Sequence, residues 1–148
     1  MFRSMRPLTG IAMVLALAAA ALAWVPKAEI KAERISPTKF RLTGKNAIGN
    51  LDVLVEDKHL FQGFKGTGKN GDNVVDFDIK SAGLGQGWII EGKNGSTVID
   101  LKSKQQGVLS KEWKVTGKVG DKAVDVTIDG DWNVDPAIVS SLVAFDNL

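Results

Sequence analysis

Apolar and polar side chains alternate with period two along most of the chain, and the alternation comes in four copies. Gly-Lys marks each copy, at Gly44-Lys45, Gly68-Lys69, Gly92-Lys93 and Gly117-Lys118, spaced 24, 24 and 25 residues apart. After the glycine, positions +7, +9 and +11 read Leu51, Val53, Val55, then Val75, Phe77, Ile79, then Ile99, Leu101, Ser103, and finally Val124, Val126, Ile128. Before it, positions −4 and −2 read Phe40 and Leu42, Phe64 and Gly66, Trp88 and Ile90, Trp113 and Val115. The neighbours at −3 and −1 are mostly Arg, Lys, Thr or Glu, with Ile89 the exception, and the positions between the later set are mostly charged. Period-two alternation gives strands with one apolar and one wet face. A fixed period of this length is one supersecondary unit repeated.

The segments Asn70-Gly71-Asp72-Asn73, Asn94-Gly95-Ser96-Thr97 and Gly120-Asp121-Lys122 carry the turn chemistry of tight hairpins. Four hairpins in series predict an all-β, eight-stranded antiparallel up-and-down meander built from hairpin repeats of about 24 residues. Closure into a barrel is expected. It would remove both sheet edges and set Lys39, Arg41 and Lys45 of the first strand beside Asp125, Asp129 and Asp131 of the last. The same reasoning sets each repeated lysine across its hairpin from the repeated aspartate: Lys45 from Asp52, Lys69 from Asp76, Lys93 from Asp100, and Lys118 from Asp125. A charged outer face excludes a transmembrane barrel, whose lipid-facing band must be apolar. Asp135-Pro136 predicts the start of a short C-terminal helix, with Ile138, Leu142 and Phe145 on one face, packed as a lid on a barrel end or wall. The stretch from Trp24 to Ser36 alternates weakly and is read as an extension of the first strand.

The N-terminus changes the charge picture. Arg3 and Arg6, the apolar run from Leu8 to Ala20 and the small-x-small site Ala21-Leu22-Ala23 make residues 1–23 a signal peptide, with an uncleaved anchor as the alternative. The chain is therefore expected to be exported, periplasmic or secreted, with residues 24–148 as a single domain. Removing Arg3 and Arg6 from the 19 basic residues leaves 17, equal to the 17 acidic ones. A neutral domain does not fit nucleic-acid binding, which calls for a clustered positive surplus. With no cysteine, packing alone must hold an exported fold.

Catalytic signatures are scarce, and a non-enzymatic protein without cofactors is expected. His59 is the only histidine, no Gly-x-Ser-x-Gly elbow accompanies it, and it reads as an exposed turn residue. Two constellations remain. Phe40, Phe64, Trp88 and Trp113 share one register on alternate strands and, with Trp132, form either an aromatic core layer or the wall of an apolar pocket. Gln62, Gln86, Asn46, Asn70 and Asn94 would be its polar contacts, and the inward glycines Gly44, Gly66, Gly68 and Gly92 would leave it room. The run Asp129-x-Asp131-x-Asn133-x-Asp135 has the spacing of half a calcium loop. Val134 stands where such a loop needs glycine and Ser140 where it needs glutamate, so no metal is expected there.

The resulting expectation is a cell-envelope binding protein holding a small apolar or amphipathic ligand, such as a lipid, inside a β-barrel. The alternative is a structural or protein-interaction module of the envelope with a solid core. An exported eight-stranded barrel invites comparison with lipocalin-like and avidin-like carriers, which is a comparison of architecture alone. Contact with a membrane is expected only through the N-terminal segment, if it is retained.

Overall fold

Each Gly-Lys repeat folds as an antiparallel hairpin, and one further strand precedes them. The computed structural model describes residues 23–59, 62–129 and 134–146. The expected signal peptide, residues 1–23, lies outside these residues apart from Ala23. The strands are β1 (Glu29–Ser36), β2 (Lys39–Lys45), β3 (Asn50–Asp57), β4 (Phe64–Asn70), β5 (Asn73–Ser81), β6 (Trp88–Asn94), β7 (Thr97–Gln105), β8 (Glu112–Val119) and β9 (Lys122–Asp129). They form one sheet in sequence order. A helix, α1 (Pro136–Leu142), follows and tightens into a 3-10 turn at Val143–Phe145.

The expected count of eight strands is corrected to nine. Glu29–Ser36 does not extend the first repeat strand but folds back on it, pairing Ile30 with Gly44 and Arg34 with Phe40, with a register irregularity between Arg34 and Ser36. The intervening Pro37-Thr38 supplies the reversal. The inside–outside assignment stands as read. Leu42, Val53, Val55, Ile79, Ile90, Leu101, Val115 and Ile128 are fully buried, and their neighbours along each strand face outward. At three of the hairpins a glycine with φ of 62°, 63° and 61° (Gly71, Gly95, Gly120) opens a two-residue turn.

Register across the sheet explains its curl. Phe40 lies opposite Val55, which lies opposite Gly66, two residues beyond Phe64. Phe64 relates to Trp88, and Trp88 to Trp113, by the same step. Equivalent positions thus climb about one residue per strand, which with ordinary strand spacings tilts strands by about 35° and coils the sheet. The repeated glycine permits the coil. A Cβ at Gly68 would strike the Asp52 carbonyl, one at Gly92 the Asp76 carbonyl, and one at Gly117 the Asp100 carbonyl.

The result is a curled half-barrel and not the closed barrel expected. Among the described residues no ladder joins β1 to β9. Nine antiparallel strands leave the two edges running the same way, so hairpin logic cannot unite them. Three of the charges that argued for closure are paired with strand neighbours: Lys39 meets Glu56 at 4.0 Å and Arg41 meets Asp52 at 3.5 Å, both on β3, and Asp125 meets Lys114 at 3.5 Å. The termini bridge the gap instead. The Trp24 amide donates to the Thr127 carbonyl (2.6 Å) on β9, and the Trp24 indole donates to Asp146 (3.0 Å). The other oxygen of Asp146 accepts from the amides of Lys27 (2.7 Å) and Ala28 (2.9 Å).

The helix is a plug and not the lid expected. Asp135 caps it through the Ala137 amide (2.9 Å), with Pro136 in the first turn. Every residue from Ala137 to Phe145 is buried, on all sides of the helix. Its serines are compatible with this because their hydroxyls are bonded: Ser140 to the Pro136 carbonyl (2.7 Å) and Ser141 to the Ile138 carbonyl (2.6 Å). Since Ser140 gives its proton to Pro136, the inward Ser103 on β7 donates to Ser140 (2.7 Å). Phe145 packs on Phe77 with ring centroids 6.0 Å apart.

If the helix is part of the core, Phe145→Ala should cost about 3–5 kcal/mol. Asp76→Ala, on the outer face, should cost under about 1 kcal/mol. Trp88→Ala, half-buried, should fall between them. Chemical denaturation of the three variants checks the order, and a Phe145 change as mild as the Asp76 change would contradict the plug.

Candidate functional site

The aromatic positions come together, but as an oblique row that follows the stagger. Phe40 meets Phe64 edge-on (6.0 Å, 76°), and Phe64 meets Trp88 at a tilt (5.9 Å, 55°). The Arg34 guanidinium covers the far side of Phe40 at 5.1 Å. Phe40 and Phe64 are core residues, whereas Trp88 and Trp113 are half-buried. The two tryptophans line a depression of about 270 Å³ between the β5–β6 and β7–β8 loops, together with Leu84 and Gln105. Trp132 lies outside the described residues.

The polar residues proposed for an interior pocket are otherwise engaged. Gln62 and Gln86 are exposed loop residues whose main-chain N–H groups close turns on the carbonyls of His59 (3.1 Å) and Gly83 (3.0 Å). The asparagines after each Gly-Lys form a ladder across the opposite end of the sheet. Asn46 and Asn70 exchange amide hydrogen bonds at 2.9 Å in both directions, and Asn94 donates to Asn70 at 2.9 Å. Asn46 also donates to the Phe145 carbonyl (2.9 Å), fixing the C-terminal turn. The fourth repeat has Val119 at this position, so the ladder stops and the buried Asn94 Oδ1 has no partner. Beside it, Asn94, Ile48, Val119, Lys122 and Phe145 line a cleft of about 320 Å³. The room expected at the inward glycines is taken, by neighbouring backbone at Gly44, Gly68 and Gly92 and by the Phe77 ring at Gly66.

Of the calcium-like run, Asp131 and Asn133 lie outside the described residues, and Asp135 is the helix cap. Among the described residues no three His, Cys, Asp or Glu side chains are grouped to hold a metal ion. His59 is an exposed residue at φ 71° after β3.

On the outer face the lysine–aspartate register differs from the expectation. Within each hairpin the aspartate faces Thr43, Thr67, Glu91 or Thr116. The facing lysine belongs to the next hairpin: Asp52 lies opposite Lys69, Asp76 opposite Lys93, and Asp100 opposite Lys118. The two-residue turn shifts pairing by one step from the centre assumed, which moves the match between hairpins. The densest charge cluster joins Lys58, Lys65, Asp76 and Asp78. Lys58 lies 2.6 Å and Lys65 3.5 Å from Asp78, and Lys65 also binds Asp76. Partial burial pushes the Asp78 carboxyl up, but its hydrogen bond and charge contact with Lys58, aided by Lys65, hold it below its ordinary value. The hydrogen bond to Asp76 raises Lys65 despite some desolvation.

A second cluster was not foreseen. Lys102, Lys104 and Lys114 line an outer cleft of about 450 Å³ with Ile89, Gln86 and Gln106. Its signal was Ile89, the one apolar residue at its repeat position, but the cluster also needs the pairing of β7 with β8, which the repeat alone does not reveal.

Comparison with protein-family models, curated proteins and solved structures finds no match to this chain, so function must be argued from geometry.

Asn70→Ala should cost about 1–3 kcal/mol, because it orphans the buried Asn94 amide. Asn94→Val should be nearly neutral, since it removes an unpartnered oxygen and copies the fourth repeat. Equal losses in denaturation midpoint would contradict the ladder.

Asp78 supplies a pH dependence whose sign is fixed. A depressed carboxyl stabilises the fold above its unfolded value and loses that contribution as pH falls from about 4 through the folded value. The raised Lys65 contributes up to about pH 10 and is lost above it. Asp78→Asn should therefore be less stable than the parent by under about 1 kcal/mol at pH 7. The difference should shrink as pH falls below about 4. A difference that persists in acid would show packing, not charge.

Proposed function

We propose that this chain is a non-enzymatic binding module of the cell envelope that works through its outer surface and loop end. The observation that carries the reading is the burial of α1 and the following turn on every side, which gives the concave face of the sheet to the chain's own C-terminus. A cavity for a lipid-sized ligand would have to be made by removing that helix. Exposing Ile138, Val139, Leu142, Val143 and Phe145 would cost roughly 8–15 kcal/mol at about 1.5–3 kcal/mol each. That is of the order of the whole stability of an ordinary domain. Opening for a ligand and global unfolding would then be nearly the same event.

The solid-core reading is therefore preferred over the carrier of a small apolar or amphipathic ligand, which also wanted a closed and hollow barrel. Export rests on the basic n-region, apolar run and Ala21-Leu22-Ala23 site of the N-terminal segment.

Hydrogen exchange and ligand titration test this reading together. The amides of residues 142–145 should exchange only through global unfolding. Tryptophan fluorescence should stay flat when folded protein is titrated with long-chain fatty acids or isoprenoids. A saturable, stoichiometric response that also exposes the 142–145 amides would return the interior to the ligand.

A further inference from the structure

The outer face of the third hairpin departs from the pattern of the other three. At the third position before the glycine, the first, second and fourth hairpins carry Arg41, Lys65 and Lys114, and each ion-pairs with its own hairpin's aspartate: Asp52 at 3.5 Å, Asp76, and Asp125 at 3.5 Å. The third hairpin has Ile89 there, facing Lys102. Two residues further along β7, Lys104 stands directly opposite Lys114 on β8. Like charges in facing positions destabilise a sheet. Among the described residues neither Lys102 nor Lys104 makes an ion pair, and no carboxylate lines the cleft that they form with Lys114. A domain of zero net charge keeps Lys102 and Lys104 without an ion pair, beside the Asp125-bound Lys114, where the third hairpin departs from the outer-face pattern.

The two loops bounding this cleft hold the most exposed large apolar side chains described: Leu84 (103%) between β5 and β6, and Val108 (91%) and Leu109 (94%) between β7 and β8. Glycines at positive φ flank them at Gly83, Gly85 and Gly107, so these are projecting tips and not a continuous apolar face. The half-buried Trp88 and Trp113 sit just behind the tips. From the tip inward, aliphatic side chains come first, and the tryptophans on the concave side and the lysines on the outer wall follow at about one common level. A bilayer presents the complementary order of acyl chain, then interface with anionic headgroup.

We propose that the loop end docks on an anionic lipid bilayer surface. Leu84, Val108 and Leu109 enter the boundary between headgroups and acyl chains, and Lys102, Lys104 and Lys114 lie against lipid phosphates. Separate apolar tips suit a fluid bilayer, which closes around each one, better than a protein partner, which would need a pocket for every tip. The proposal names the partner of the outward-working reading and rests on it, but does not need the helix to move.

The absence of cysteine allows a clean test on the full chain. Leu84→Cys, Leu109→Cys and, at the other end, Ile48→Cys are each labelled with an environment-sensitive fluorophore. They are mixed with phosphatidylglycerol–phosphatidylcholine vesicles or with phosphatidylcholine vesicles alone. A label reports only its own surroundings, so an N-terminal segment held in the bilayer cannot mimic insertion of a loop. The emission at positions 84 and 109 should shift to the blue on anionic vesicles and stay put on neutral ones, with position 48 unchanged. Lys102→Gln with Lys104→Gln should weaken binding about thirtyfold, as expected for two lysines at an anionic surface. Unshifted emission at 84 and 109, or a shift indifferent to the lysine changes, overturns the proposal. The outward-working reading fails separately, by a saturable interior ligand in the tryptophan titration.

Discussion

The helix in the concave face is the contact on which the rest of the structure depends. A coiled antiparallel sheet with one apolar face must cover that face, and nine strands cannot do so by hairpin closure because the edges run in the same direction. The C-terminal residues supply the cover, from Asp135 at the loop end to Phe145 at the turn end. Asp146 then reaches across the opening to the amides of Lys27 and Ala28 and to Trp24. Segments 118 to 122 residues apart in sequence thus hold one another, and among the described residues the half-barrel is held by these long-range contacts without a closing ladder.

The repeat distributes what each hairpin must contribute to this arrangement. Its glycine lets the neighbouring strand's carbonyl approach, its aromatic fills the level nearest the loops, and its asparagine joins the ladder beneath the turns. Each of these fits the one-residue stagger per strand. The departures are instructive in the same terms. Ser103 replaces an apolar inward residue where the helix presents Ser140, and Val119 replaces asparagine where the ladder ends.

Strand identity, facing and the helix cap were legible in the sequence because they depend on local periodicity and turn chemistry. The ninth strand was not, because Ile30, Ala32 and Arg34 alternate too weakly and Pro37 reads as a loop residue. The helix's place inside the sheet was hidden by Ser140 and Ser141, which look like a polar face until their hydroxyls are seen to bond Pro136 and Ile138. The aromatic row was readable from spacing alone. The lysine–aspartate register was not, because a shift of one pairing step sends every match to the neighbouring hairpin. A register is a relation between strands, and single-strand periodicity does not contain it.

The two ends of the half-barrel answer to different demands. At the turn end, two- and four-residue connections, the asparagine ladder and Phe145 leave little backbone freedom, and side-chain and main-chain hydrogen bonds are interlocked there. At the loop end the connections are longer and rich in glycine, and Leu84, Val108 and Leu109 touch little of the fold that bears them. Loops on a rigid scaffold are where a protein can change its surface without changing its core. The outward lysines on β7 and β8 belong to this freer end, and facing like charges there lower stability without improving packing. A feature that costs the fold something, at the end where the fold constrains least, is the part of this molecule least explained by structure alone. That makes the third hairpin, and not the aromatic row the repeat advertises, the place where its function is to be sought.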